Sequence, residues 1–128
     1  MNNKAVQTAV EENVDELNDF VIDAIRDIKG KNIVKLDLTD IEDTATDYFI
    51  IAEGESTTQV NAIAANIRKR LKEEKDYRNI HMTGTSESKW VLIDLFDTIV
   101  HIFHPETRAY YELEDLWSDA RFTEYQDI

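Results

Sequence analysis

The sequence has no cysteine, only one proline and only three glycines among its 128 residues. A chain without cysteine forms no disulfide and offers no thiolate to a metal, which favours a cytoplasmic protein. Scarce proline and glycine, with 32% charged residues, exclude collagen-like and low-complexity compositions. No apolar run reaches the roughly 20 residues of a membrane helix, and the first residues lack a secretory apolar segment. We therefore expect no membrane association.

Basic residues are also scarce. Fourteen Lys and Arg stand against 27 Asp and Glu, which gives a formal net charge of −13. Because nucleic-acid affinity depends on cations that displace phosphate counterions, we expect no direct nucleic-acid binding. The more natural partner is a protein with a basic surface, although acidity that only maintains solubility would give the same composition. The one basic group, Arg68, Lys69, Arg70 and Lys72, is interpreted as a solvated helix face.

Hydrophobic periodicity predicts one α/β domain over residues 1–118, followed by a loosely held C-terminal tail at 119–128. Apolar residues three and four apart predict a helix from Asn13 to a stop at Gly30, and Ser56 precedes a second helix. One strand–helix–strand unit and one hairpin together predict a mixed five-stranded sheet with helices packed on its faces. The predicted strands are Ile33–Leu38, Asp47–Ala52, Ile80–Gly84, Trp90–Leu95 and Ile99–His104, and Glu106–Trp117 supplies one or two short helices.

The turn Gly54-Glu-Ser56 before the second helix has two interpretations. A helix N-terminus attracts anions, so the turn could hold a phosphate, as the Gly-Ser turn of nucleotidyltransferases does. Those enzymes also need paired carboxylates about a dozen residues later to hold metal ions, and residues 61–70 contain none. A capping box between Ser56 and Gln59 explains the same residues more simply. We expect no cofactor here.

Two residue pairs in the hairpin also lack the spacing of a chemical site. His101 and His104 are three apart on a strand and point to opposite faces, so they cannot share a metal. One of them is interpreted as a hydrogen-bonded structural histidine. Asp94 and Asp97 lie near the hairpin tip, where Asp commonly bonds its own backbone. We therefore expect no catalytic residue and no metal site.

The hairpin and the helices after it carry the candidate contact surface. Alternation places Trp90, Leu92 and Asp94 on one strand face and leaves an all-apolar set for the core. Trp and Tyr carry much of the energy of protein interfaces, although each aromatic here could equally belong to the core. The predicted partner-binding residues are Trp90, Leu92, Asp94, Asp97, Tyr110 and Trp117.

Two stretches of the chain resemble the signatures of the Iojap family, the ribosomal silencing factors. The first stretch is Asp47-Tyr-Phe-Ile-Ile-Ala with Gly54-Glu-Ser-Thr-Thr-Gln-Val-Asn-Ala-Ile-Ala. The second is Trp90-Val-Leu-Ile-Asp-Leu-Phe-Asp, followed by Val100-His-Ile-Phe-His-Pro and Tyr110-Tyr-Glu-Leu-Glu-Asp-Leu-Trp. The resemblance covers about Val14 to Ala120, in the family's order and spacing.

This resemblance implies a nucleotidyltransferase-like fold that serves binding rather than catalysis. Family members bind the large ribosomal subunit through its fourteenth ribosomal protein, block joining of the small subunit and repress translation under nutrient limitation. The alternative is a nucleotidyltransferase-like, nucleotide-binding enzyme. Because an exposed aromatic surface is most simply covered in a symmetric dimer, we also expect a homodimer when the protein is free.

The sequence departs from the family pattern at the hairpin tip, where Phe96 stands in place of the usual glycine. Glycine tolerates a positive φ in a tight turn and Phe does not. Either the turn is of a different type in this chain, or Phe96 is strained or extends into the contact surface.

Overall fold

The computed structural model describes the backbone of residues 3–128 and the side chains of residues 14–128. None of the described helices is both long enough and apolar enough to cross a bilayer. The first helix begins at Asn3, before the predicted start at Asn13. The elements in chain order are α1 (Asn3–Asp27), β1 (Lys31–Asp37), β2 (Tyr48–Glu53), α2 (Thr57–Lys75), β3 (His81–Thr83), β4 (Trp90–Asp94), β5 (Thr98–Phe103), α3 (Pro105–Tyr111), α4 (Leu113–Leu116) and β6 (Arg121–Glu124).

The strands form one mixed sheet of six strands in the order β3-β4-β5-β2-β1-β6. β2 and β5 are parallel, and the other neighbouring pairs are antiparallel. The predicted mixed α/β class is confirmed, but the predicted count of five strands is wrong. The additional strand is β6, which lies in the segment 119–128 and pairs with β1 from Asp37↔Arg121 to Val34↔Glu124. All its side chains are exposed, so the segment lacks the apolar alternation that would have predicted it.

The two faces of the sheet have different coverings. On the inner face, α1 and α2 pack against strand residues such as Ile50, Val91 and Ile93 in one buried apolar cluster. On the outer face, Phe49 and its strand neighbours form a second cluster with Leu113 of α4. The chain leaves β2 through α2, β3 and β4 before β5 returns beside β2, which is the long connection that a parallel pair requires.

The end of α1 is fixed to the start of α2. Helix α1 closes in a Schellman motif, in which the Gly30 N–H donates to Ile25 O at 3.0 Å and Lys29 is left-handed with φ 61°. Position 30 requires glycine because its backbone lies close to Ile25, and a Cβ there would lie 2.3 Å from Ile25 Cγ2. The side-chain amide of Gln59 on α2 donates to the carbonyl oxygens of Ile28 and Lys29 at 3.0 and 3.2 Å. The two helices therefore cover the inner face as one layer.

Arg70 of α2 also joins this helix to α1. Its guanidinium donates to Asp23 and Asp27 of α1 at 2.8 and 2.9 Å and to Glu74 at 2.8 Å, and it lies 4.7 Å from the ring centroid of Phe20. The hydrogen bonds to Glu74 and Asp23 raise the pKa of Arg70 above its usual value. The interpretation of Arg70 as part of a solvated basic face is therefore wrong.

Candidate protein-binding surface

Strand β4 divides its side chains between the two faces of the sheet. Trp90 and Leu92 are half-buried and Asp94 is exposed on the outer face. Between them, Val91 and Ile93 are fully buried in the inner cluster. The alternation read from the sequence is confirmed, so the outer face of β4 carries a mixed aromatic and acidic set that a closed core would not accept.

Trp90 is held in place by its neighbours rather than standing free. Its ring stacks on Phe103 with centroids 4.8 Å apart and touches Tyr111 of α3 at 4.9 Å. Its indole N–H donates to His101 Nδ1 at 3.1 Å. These contacts fix the Trp90 ring in position, while part of the ring remains exposed to solvent. Trp90 can therefore both stabilise the fold and contact a partner.

His101 is the structural histidine predicted for this hairpin. It is buried on β5, its Nδ1 accepts from Trp90, and its ring meets Phe49 edge-on at 4.7 Å. Burial lowers the pKa of His101 from 6.5 to about 4. The ring is therefore neutral at physiological pH, with the proton on Nε2, which has no hydrogen-bond partner among the described residues.

Ring contacts join six side chains into a continuous strip that we call the aromatic row. The successive centroid distances are 5.0 Å for Tyr110–Tyr111, 4.9 Å for Tyr111–Trp90, 5.9 Å for Trp90–His101, 4.7 Å for His101–Phe49 and 5.6 Å for Phe49–Trp117. The row runs from α3 across β4, β5 and β2 to the end of α4. It thus links residues that are far apart in the sequence.

The buried side chain of Arg108 anchors α3 to the sheet. Its Nη1 donates to the carbonyl oxygen of Asn32 at 2.8 Å and to Glu53 at 3.1 Å, and its Nε donates to Glu114 of α4 at 3.3 Å. These bonds tie α3 and α4 to β1 and β2, and so they position Tyr110 and Tyr111. Sequence reasoning missed Arg108. The signal that could have found it is a single cation among the acidic residues of 105–116.

The hairpin tip holds Phe96 in the conformation that glycine prefers. Phe96 has φ 75°, and the Asp97 N–H donates to Leu95 O at 3.1 Å, as in a γ-turn around Phe96. Asp94 Oδ1 accepts the Phe96 N–H at 2.9 Å. The Phe96 side chain is 85% exposed. The tip therefore keeps a strained backbone, and its aromatic ring projects into solvent.

Most of the predicted contact residues lie together. Those on the outer face of β4 or in the aromatic row are Trp90, Leu92, Asp94, Tyr110 and Trp117. Asp97 is different, because it is half-buried at the hairpin tip and its carbonyl oxygen accepts the N–H groups of Asp47 and Tyr48, both at 3.0 Å. Its backbone holds the hairpin to the start of β2.

A cleft of about 490 Å³ opens beside the aromatic row. Its lining includes Glu87, Lys89, Trp90, Glu106, Tyr110 and Tyr111. Tyr110 is 81% exposed and so presents most of its ring. Aromatic faces beside carboxylates attract Lys and Arg side chains, through the ring quadrupole and through charge. The cleft therefore combines aromatic rings with two carboxylates, Glu87 and Glu106, and one lysine, Lys89.

The turn before α2 is a helix cap. Ser56 Oγ accepts the Gln59 N–H at 3.1 Å, and Gln59 Oε1 accepts the Glu55 N–H at 2.7 Å. The predicted capping function of Ser56 is confirmed. Within residues 14–128, no three His, Asp or Glu side chains lie close enough together to hold a metal ion.

A half-open sheet face with aromatic anchors and a carboxylate rim is typical of proteins that bind other proteins. Comparison with known proteins gives the family. The family model described as "Ribosomal silencing factor during starvation" matches residues 11–128. The chain belongs to this family, and the resemblance read from its motifs is confirmed.

Relatives and a solved structure agree with this assignment. Ribosomal silencing factor RsfS of Bacillus subtilis is 43% identical over 97 residues, which are 76% of this chain and 80% of that protein. RsfS of Halalkalibacterium halodurans is 39% identical over 113 residues, which are 88% of this chain and 95% of that protein. A crystal structure of a Chromobacterium violaceum protein matches with a TM-score of 0.74 and 35% identity, over 81% of this chain and 85% of that one.

Proposed function

We propose that this protein binds the large ribosomal subunit through its fourteenth ribosomal protein, blocks joining of the small subunit and so represses translation under nutrient limitation. The family is named for ribosomal silencing during starvation, which supports a ribosomal partner. The action is steric and takes place in the cytoplasm, and no catalytic step is assigned to it.

The aromatic row on the open outer face is the observation that carries this proposal. Exposed Trp and Tyr side chains supply large contact areas at low entropic cost. The exposed carboxylates of Asp94, Glu106 and Asp115 lie on β4, α3 and α4, three of the elements that carry the row. A ribosomal protein offers the complementary basic surface, and opposite charge speeds the encounter. Leu92 and Trp90 supply the apolar centre of the contact.

Sucrose-gradient sedimentation with purified ribosomal subunits tests the proposal. The protein should sediment with large subunits and not with small ones, and large subunits incubated with it should form fewer joined ribosomes when small subunits are added. Tyr110→Ala should weaken this binding by about 2 kcal/mol, the usual scale of an interface hot spot. Because Tyr110 is 81% exposed, the variant should fold normally. Protein that stays at the top of the gradient would overturn the proposal.

An enzyme related to nucleotidyltransferases is the alternative, and calorimetry with nucleoside triphosphates and magnesium tests it directly. We expect no heat of binding. Micromolar binding accompanied by turnover would replace the silencing proposal with this alternative.

We also propose that the free protein is a homodimer that buries the aromatic row. Large apolar side chains are exposed in the row and near its end, with Tyr110 at 81% and Leu116, next to Trp117 in the sequence, at 74%. A symmetric dimer would cover them and would have to open before the ribosome could bind. Sedimentation velocity should show a dimer that Tyr110→Ala shifts toward monomer. A strict monomer at high micromolar concentration would remove this idea.

A further inference from the structure

The charges of this acidic protein are distributed unevenly, and one groove is basic. Three side chains on the solvent-facing side of α2 are exposed cations: Arg68, Lys69 and Lys72. Within residues 14–128 none of these three side chains forms an ion pair, whereas Arg70 between them is bound to three carboxylates. The three cations are therefore available to a ligand.

These cations form one wall of a groove of about 610 Å³. The α2 residues that line it are Asn61, Ala65, Arg68, Lys69, Lys72 and Glu73, at the spacing of one helix face. From its first to its last residue this wall is about 18 Å long, because a helix rises 1.5 Å per residue. The opposite wall is Tyr77, Arg78, Met82 and Thr85, from the α2–β3 connection, β3 and the loop after it.

The chemistry of this groove favours an extended anion. Four cations line it against one carboxylate, Glu73, and Arg78 is shared with Asp76 at 2.8 Å. By residue type the lining is mostly charged or polar, with Ala65 and Met82 as its aliphatic members. Tyr77 is 40% exposed at the edge and offers a ring face on which a base can stack.

We propose that this groove binds the phosphate backbone of an RNA strand. This inference rests on the proposed function, which would bring the groove to a ribosomal subunit, an assembly of protein and RNA. The groove adjoins β3, the sheet edge beside β4, so one molecule can engage a basic protein with its outer face and RNA with α2. This proposal revises the expectation that the chain makes no direct contact with nucleic acid.

The net charge of −13 does not prevent such binding. Charges separated by more than about 8 Å are largely screened at physiological salt, so a phosphate in the groove responds mainly to the nearest side chains. The acidic residues nearest to α2 on α1, Asp23 and Asp27, are already paired with Arg70. The four cations outnumber Glu73 in the groove and Asp76 beside it, so the local charge is positive.

A pair of charge-matched variants tests the groove. Lys69→Glu with Lys72→Glu reverses two groove cations, and Lys29→Glu with Lys31→Glu reverses two exposed lysines elsewhere at the same net charge. The first variant should bind isolated large subunits and a labelled single-stranded oligoribonucleotide at least about tenfold more weakly, while the second stays within about twofold. Each lost phosphate contact should also reduce the slope of log K against log salt by about 0.7 to 0.9. If circular dichroism shows that either variant unfolds, the same binding measurements are made with Gln in place of Glu at all four positions.

Directed cleavage identifies what occupies the groove on the ribosome. Because the chain has no cysteine, Ala65→Cys can carry a single iron chelate that generates hydroxyl radicals in the groove, and Glu42→Cys in the β1–β2 connection serves as the control. Cuts in large-subunit RNA from position 65 and not from position 42 support the proposal. Equal binding by both charge variants overturns the proposal. Subunit binding without RNA cuts from position 65 also overturns it, and in that case an acidic protein is the occupant of the groove. If the wild-type protein fails to bind subunits, the silencing proposal fails. The oligoribonucleotide measurement then still tests whether the groove binds RNA.

Discussion

The inner and outer faces of the sheet share the same strands but differ in what covers them. On the inner face, Val91 and Ile93 of β4 are fully buried beneath α1 and α2. On the outer face, Trp90 and Leu92 of the same strand remain half-exposed, and the Trp90 indole N–H donates to His101 Nδ1 behind it. Strand alternation thus separates residues that stabilise the fold from residues available to a partner. Each of the following predictions tests that separation.

The largest effect is expected on the inner face. Ile93→Ala removes a fully buried side chain and should lower the free energy of unfolding by about 2 to 5 kcal/mol, because a cavity adds to the lost transfer energy. Leu92→Ala, one residue away on the outer face, should lower it by less than about 1 kcal/mol and should weaken large-subunit binding instead. Urea denaturation and co-sedimentation measure the two quantities. Equal destabilisation by both variants would show that the outer face is core.

The second prediction concerns pH and His101 on the outer face. Burial lowers the pKa of His101 from 6.5 to about 4, so the unfolded chain takes up this proton at a higher pH than the folded protein does. The free energy of unfolding should therefore fall as pH falls from 6.5 to 4, by up to roughly 3 kcal/mol, since one pKa unit corresponds to about 1.4 kcal/mol.

His101→Asn is the matched control for this pH dependence, because its Oδ1 can accept the Trp90 N–H but does not titrate. The variant should show a shallower loss of stability across the same window, measured by urea denaturation at each pH. Carboxylates contribute to acid denaturation in both proteins, so only the difference between the two curves reports on His101. Parallel curves would mean that His101 is not buried as a neutral ring.

The third prediction separates the two functions of Trp90. Trp90→Phe keeps an aromatic ring against Phe103 but leaves His101 Nδ1 without its donor, and should cost about 1 to 2 kcal/mol of stability. Trp90→Ala should cost more, because stacking is also lost. Binding must therefore be compared per folded molecule, using the fraction folded from circular dichroism. Unchanged stability in Trp90→Phe would mean that the indole bond does not stabilise the outer face.

The fourth prediction concerns the strained tip that joins β4 to β5. Phe96→Gly should raise the free energy of unfolding by about 1 kcal/mol, because φ 75° is costly for Phe and free for glycine. Phe96→Ala keeps the strain and removes the exposed ring, so its stability should remain close to wild type. If both variants bind large subunits less well than wild type, Phe96 belongs to the contact surface. If Phe96→Gly is less stable than wild type, the tip is not strained.

The smallest effect is expected from the rim charge at Asp94. Asp94→Lys should slow association with large subunits and invert the salt response, because rim charges act mainly on the encounter rate. This change also removes the acceptor of the Phe96 N–H. Asp94→Asn keeps an acceptor oxygen and loses only the charge, and should slow association by a smaller factor. Stopped-flow rates at two salt concentrations measure the effect, and salt-independent rates in wild type would contradict an electrostatic contribution.

The main features of the fold could be predicted from the sequence because apolar periodicity records burial. The helices α1 and α2, the strands β1–β5 and the two faces of β4 all follow from it. Strand β6 could not be predicted in this way, since its side chains are exposed and only its backbone pairs with β1. Sequence patterns describe side chains and contain little information about such pairing.

Several site features depend on contacts between distant residues, which no local pattern specifies. Trp90 and Tyr110 were predicted as contact residues by their type, but they lie on β4 and α3 and are joined only through the ring of Tyr111. Arg108 was missed because its partners, Asn32 and Glu53, lie far away in the chain. Arg70 was misread as solvated because its carboxylate partners belong to the previous helix.

The parallel pairing of β2 and β5 has a consequence for how the protein is made. Paired residues such as Tyr48 and Thr98 are widely separated in the sequence, so the centre of the sheet closes only after α2, β3 and β4 have been synthesised. Helices α3 and α4, which complete the aromatic row, follow later still, and β6 is the last strand to emerge. A nascent chain therefore has no assembled outer face until Trp117 has been synthesised, and only then could the proposed contact form.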